Sequence, residues 1–157
     1  EYELSILYTD KPAMYELYGF KTVPLQKFTG PAPLAGMAGP ARLLSMDDQD
    51  DVALLTGYIN NRAPASALFS PLSHPAMFLV NAFWDRGIRL SQLESHDAVI
   101  AWRVTDGGVF QLLDIAAEKI PQMQVITSAL CASGGVRLDS GRGDRGVDAV
   151  AYVDLPR

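Results

Sequence analysis

The sequence predicts an α/β (α+β) fold, and three features predict it. Two apolar strand patterns flank Thr105-Asp106-Gly107-Gly108, and Asp-Gly between apolar runs is a strong hairpin signal. Apolar residues at helical spacing stand on both sides of that hairpin: Val52, Leu55 and Ile59 before it, Met123, Ile126 and Leu130 after it. A final strand pattern, VDAVAYV over residues 147–153, follows the last helix.

The elements follow in chain order. Residues 3–8 (ELSILY) are rich in strand formers. Thr9 or Asp10 is placed to cap a short helix over residues 13–18, with Pro12 near its first turn. Gly19 ends that helix, because glycine accepts the left-handed terminating conformation. Residues 20–28 (FKTVPLQKF) read as a second extended segment, with Pro24 at a bulge or an edge. Residues 29–40 (TGPAPLAGMAGP) hold three prolines and three glycines, which argues against a regular element. The expected organisation is therefore a strand-helix-strand segment over 1–30, a linker over 31–40 and a second α+β domain over 41–157.

Within that second domain, Ser45-Met46-Asp47-Asp48 reads as a capping box opening a helix over residues 47–62, with Pro64 stopping it. Residues 74–84 (HPAMFLVNAFW) are strongly apolar. Pro75 suits a helix start and Gly87 lies past its end, although a buried strand fits the same run. The hairpin strands are expected over 97–104 and 109–115. Pro121 opens a helix that reaches Leu130, and Gly134 and Gly135 end it. Residues 136–146 read as a polar, glycine-rich loop. No internal repeat is visible.

Composition narrows the function classes. Hydrophobic residues make up 48% and charged residues 20% of the 157, values suited to a packed core. The net charge of −5 supplies no basic field for phosphate backbones, so a nucleic-acid partner is not expected. Cys131 is the single cysteine, which precludes an intrachain disulfide and fits a reducing compartment, the cytoplasm. No apolar run reaches the ~20 residues of a membrane span, and no secretory signal pattern opens the chain. Glu1 stands inside a strand pattern without a methionine, so a truncated chain is expected.

Residues 9–23 read TDKPAMYELYGFKTV. This stretch resembles the last motif of the GNAT N-acetyltransferase superfamily, a strand followed by A-x-x-(F/Y)-Y-x-x-x-G-F. Tyr15, Gly19 and Phe20 match at that spacing, and Ala13 stands two residues before the tyrosine rather than four. In that family the motif's tyrosine lies beside the coenzyme A sulfur, so the resemblance implies acetyl-CoA as cosubstrate and Tyr15 as the catalytic acid. A phenol of pKa ~10 is protonated at neutral pH and can supply a proton to a leaving thiolate. Gly19 permits the sharp exit, and Phe20 is expected to anchor the next strand in the core. The family often has an asparagine about seven residues before the tyrosine, on the pantetheine arm; Tyr8 stands there, and Thr9 and Asp10 are the nearest polar candidates for cofactor binding. The family's pyrophosphate loop, Gln/Arg-x-x-Gly-x-Gly/Ala between a strand and a helix, does not precede Tyr15, so this chain alone is expected to be incomplete and inactive. The second domain resembles the degenerate acyltransferase-like domain that some GNAT proteins carry after the first.

The resemblance implies a primary amine, small-molecule or peptide, as acceptor. The alternative is a non-catalytic module over 41–157 for ligand binding or dimerisation; a homodimer fits either reading.

Other motifs yield blander readings. Residues 141–146 (GRGDRG) match G-x-G-x-x-G but follow a helix and lead into a strand, the reverse of a dinucleotide site. Ser95-His96-Asp97 has the residue types of a triad, but consecutive residues cannot face one another as a triad must. His74 reads as a helix-start residue. Two histidines and one cysteine are too few for a zinc site, so no metal is expected. Asp47, Asp48, Asp50 and Asp51 suit a helix start better than a calcium loop. Trp84 and Trp102 are expected as core anchors, and Arg103 as a partner of Asp114 across the hairpin.

Overall fold

The computed structural model describes residues 5, 7, 9–22, 27–31, 38–65, 75–135 and 148–152. Among them lies one mixed sheet flanked by helices. Its strands are β1 (Lys27–Pro31), β2 (Arg42–Leu44), β3 (Arg89–Leu93), β4 (Ala98–Val104), β5 (Phe110–Ala117) and β6 (Asp148–Tyr152), in the spatial order β1-β6-β5-β4-β3-β2. β2 to β5 form a four-stranded antiparallel meander. β6 pairs parallel to β5, and β1 pairs antiparallel to β6. The helices are α1 (Gln49–Asn60), α2 (Pro75–Trp84) and α3 (Met123–Ala132).

Strand alternation divides the core into two layers. Ala98, Ile100 and Trp102 of β4 pack with Ile126, Ala129 and Leu130 of α3. Val99 and Ala101 of the same strand pack with Leu55 and Ile59 of α1 and with Phe78, Leu79 and Ala82 of α2. The sheet is thus covered by α3 on one face and by α1 and α2 on the other. Among the described residues Trp102 is the largest fully buried side chain, and its indole N–H donates to the buried Ser91 hydroxyl at 3.0 Å.

The hairpin forms where expected, but its turn differs from the tight type that Asp-Gly favours. The left-handed residue is Gly108 (φ +76), and the Thr105 N–H closes the loop on the Val109 carbonyl at 3.0 Å. The register shifts within the hairpin: Ala101 faces Asp114 while Trp102 faces Leu112, leaving Leu113 unmatched. Leu112 and Ile115 therefore both pack on the α3 side although three residues apart, which an unbroken strand forbids.

Several expectations are corrected. α1 starts at Gln49: the Asp48 carboxylate, not Ser45, accepts from the N–H groups of Asp50 and Asp51. Of the two readings open for residues 75–84, the helix starting at Pro75 is the one that forms. Trp84 is no core anchor; it is 79% exposed at the end of α2. Arg103 takes Gln111 and Asp85 rather than Asp114, whose carboxylate receives Arg62 at 3.0 Å. Thr29, Gly30 and Pro31, read as irregular, lie in β1, with Pro31 ending an edge strand where a missing N–H is tolerated. His74 and residues 141–146 lie outside the described residues. No helix among the described residues is long and apolar enough to cross a membrane.

Candidate functional site

The segment carrying Tyr15 is a hook of two consecutive 3-10 turns, Pro12–Met14 and Glu16–Tyr18, rather than one short α-helix. Short segments without packed neighbours lack the cooperativity that α-helix propagation needs. Tyr15 sits at the joint, ending the first turn and opening the second. Its N–H donates to the Pro12 carbonyl at 2.9 Å, and its own carbonyl accepts from the N–H of Tyr18 at 3.0 Å and of Phe20 at 3.4 Å. Gly19 turns left-handed (φ +85) and reverses the chain, so that the Phe20 ring meets the Tyr15 ring edge-on, centroids 6.1 Å apart and planes at 76°.

That pair is half-buried, and the rest of the hook is exposed. Phe20 therefore anchors against Tyr15 and not in the core of the sheet. Leu17 is 93% exposed, with Tyr18 and Met14 also turned to solvent. No described residue hydrogen-bonds the Tyr15 hydroxyl. Neither Thr9 nor Asp10 caps the turn: Lys11 occupies the cap position without a side-chain bond, and the Thr9 hydroxyl accepts from the Lys11 N–H at 3.0 Å. Thr9, Asp10 and Tyr15 thus share one exposed hook, with the Asp10 carboxylate at the surface.

The strand-to-helix junction of the sheet is the second place where a phosphate-binding loop is expected by chemistry. After β5 the chain runs Glu118-Lys119-Ile120-Pro121-Gln122 into α3. It has no glycine to let a backbone close on a phosphate, Pro121 has no N–H to donate, and Glu118 adds a negative charge. These residues do not fit the diphosphate of coenzyme A.

The acidic cluster at α1 is structural. Asp51 is the buried member; its carboxylate accepts from the Ser45 N–H at 2.8 Å and from Arg42 at 2.6 Å. The Ser45 bond, followed by the Arg42 bond, holds its carboxyl below the usual aspartate value. Among the described residues no group of three or more histidine, cysteine or acidic side chains is arranged to hold a metal. Ser95 and His96 touch through Oγ and Nδ1 at 2.9 Å within the 3-10 turn Glu94–His96, and no Asp97 contact completes a triad.

One concavity escaped sequence reading. A groove of about 250 Å³ is lined by Leu54, Gly57, Tyr58 and Asn61 of α1 and by Asp97 and Glu118, which flank the last rung of the β4–β5 ladder, Ala98 opposite Ala117. The mid-helix glycine was the available signal for its α1 wall. No protein-family model, no curated protein and no solved structure matches the chain.

Proposed function

We propose that this chain is part of a GNAT-type N-acyltransferase that moves an acetyl group from acetyl-CoA to a primary amine, with Tyr15 as the general acid. The observation that carries this reading is the posture of Tyr15: two tight turns and the Phe20 ring fix its position while its hydroxyl lacks any partner among the described residues. Such a phenol is free to give its proton to the sulfur that leaves when an amine nitrogen displaces it from the acyl carbon. Thr9 and Asp10, on the same hook, would flank the pantetheine arm. The exposure of Leu17, Met14 and Tyr18 suits a hook that seats against further protein.

The sheet of residues 41–157 supports a companion role. Its four antiparallel strands, followed by a helix and a strand parallel to the fourth, resemble an acyltransferase-like sheet, and its glycine-free β5–α3 junction argues that it holds no cofactor phosphates. Catalytic and companion parts together would act in the cytoplasm, where Cys131 stays reduced.

The test uses the complete gene product. Coenzyme A raises its melting temperature if it binds the folded state. Tyr15→Phe then lowers kcat by about a hundredfold with the KM for acetyl-CoA nearly unchanged. Turnover equal to that of the parent removes Tyr15 from the mechanism.

A further inference from the structure

We infer that the outer face of α2 is the contact surface of a homodimer, in which two copies of the helix cross antiparallel about a two-fold axis at Val80. This inference does not rest on the acyltransferase reading, because no residue of the hook takes part.

The observation is a surface helix that is apolar on both sides. α2 (PAMFLVNAFW) contains no charged residue, and Asn81 is its one polar residue. Phe78, Leu79 and Ala82 face the sheet and pack against the layer of Val99 and Ala101. At about 100° per residue, Ala76, Val80, Phe83 and Trp84 form one stripe on the side away from the sheet. Ala76 is exposed, and Val80, Phe83 and Trp84 are 40%, 51% and 79% exposed. The other helices behave differently. α1 turns Gln49, Asp50, Ala53 and Asn60 outward, and α3 turns Gln124 and Ala132 outward. A helix at a water boundary carries such an outer face, whereas a helix that is apolar all round is covered all round.

Three properties of the stripe select a second copy as the cover. It is self-complementary in size. In antiparallel helices related by an axis at Val80, residues equally far on either side of the axis meet. Ala76 of one copy then lies beneath Trp84 of the other, twice, and Val80 meets its own counterpart. The largest side chain of the stripe thus faces the smallest. The stripe is also uncharged. A net charge of −5 makes two copies repel through most of their surface, and a contact without carboxylates avoids that cost. Asp85, just past the helix, is held by Arg103. The same net charge disfavours an anionic lipid surface as the cover. The extent, finally, suits a reversible contact. Phe83 and Trp84 leave roughly 300 Å² open, taking ~150–250 Å² as the area of a buried aromatic side chain. With Val80 and Ala76 this stays below the ~800 Å² per partner of a tight complex, so a dissociation constant on the order of 10 μM is expected.

Sedimentation equilibrium of the complete gene product, over concentrations that bracket ~10 μM, should show monomer and dimer in exchange. Val80→Glu and Val80→Lys should each abolish the dimer, because like charges meet on the axis. An equimolar mixture of the two variants should recover it, because opposite charges then meet. Only a contact in which residue 80 faces its own counterpart behaves in this way. Trp84→Ala should weaken the dimer about a hundredfold, since each dimer loses two rings. It is also the probe that brings no charge, so the test survives a fold that rejects charge at residue 80. The melting temperature of a dilute sample should match the parent's in each variant, which separates a lost contact from a damaged fold. The inference is overturned if the gene product sediments as a monomer throughout, if the variants dimerise as the parent does, or if the mixed variants stay monomeric. Vesicles with equal parts of phosphatidylcholine and phosphatidylserine test the other cover. Trp102 is buried, so the fluorescence of Trp84 reports on the stripe. A blue shift on vesicles, without one on raising the protein concentration, assigns the stripe to lipid and overturns the dimer.

Discussion

The hook of residues 9–22 and the sheet with its three helices divide the molecule's information in opposite ways. The hook carries the stretch that resembles a family motif and no buried residue; its shape rests on five backbone hydrogen bonds and one ring pair. The sheet carries no motif and nearly all of the buried core. The difference teaches that a segment can hold a defined shape without contributing to the core. A side chain left out of the core, as at Tyr15, is available for other work, while a side chain such as Trp102 is committed.

The largest expected contrast follows directly. Trp102 is 1% exposed, lies beside Phe110 with centroids 6.0 Å apart and donates to Ser91. Trp102→Ala should cost about 3–5 kcal/mol in urea unfolding, from the lost burial, the cavity and the orphaned Ser91 hydroxyl. The matching truncation in the hook, Leu17→Ala, should change stability by less than ~0.5 kcal/mol. If the two variants unfold at similar urea concentrations, the hook is packed in solution and the division fails.

A smaller effect tests how α1 is tied to the hairpin. Arg62, with 5% of its side chain exposed, follows α1 and bonds Asp114 beside the unmatched Leu113; next to it the Ala63 N–H donates to the Ala117 carbonyl at 2.8 Å. Arg62→Leu should cost about 2 kcal/mol, because it strands the Asp114 carboxylate and removes the stem that fills the space. Asp114→Asn, which keeps an acceptor, should cost about half of that. Equal losses in the two variants would mean that the stem's packing, and not the pair, joins helix to strand.

What was legible in the sequence follows the same division. The hairpin, α1 and α3 were legible because each carries a local signal: Gly107 and Gly108 between apolar runs, and stripes whose Leu55, Ile59, Ile126 and Leu130 are indeed buried. β2 and β3 were not. β2 is three residues long, and β3 buries Ser91, a polar residue whose partner is an indole eleven residues away. The helical cap was misplaced because Ser45 and Asp48 both suit it, and the choice falls to Asp48 once Asp51 reaches back to the Ser45 N–H. The turn around Tyr15 was legible, but its 3-10 geometry was not, since nothing local tells a six-residue helix from two tight turns. The groove was illegible as a whole, because Asp97 and Glu118 are brought to Tyr58 only by strand pairing.

Acid should separate the two regions without any substitution. Asp51 is held below its ordinary value of 3.8 by the Ser45 N–H and by Arg42. A carboxyl lowered in the folded state stabilises fully at pH above its unfolded value, and that stabilisation is lost as pH falls through the folded value. The sheet should therefore lose stability below about pH 4, followed by the unfolding midpoint in urea. Asp51→Asn should flatten that acid limb while lowering stability at neutral pH. An acid limb of the same steepness in the variant would assign it to other carboxylates.

The smallest effect is the most specific to the hook. Gly19 holds φ +85 with open space where a Cβ would stand, so Gly19→Ala introduces no clash and only backbone strain of about 1 kcal/mol. In a packed region that strain would appear in the global stability. Here no buried residue depends on the turn, so the chain can relieve it locally by opening the reversal at residue 19. Urea unfolding should then be unchanged, whereas the ring-current shifts between Tyr15 and Phe20 in proton NMR should collapse as the two rings part. Stability that falls with the shifts would show that the hook unfolds together with the sheet, and the independence of the two regions would be lost.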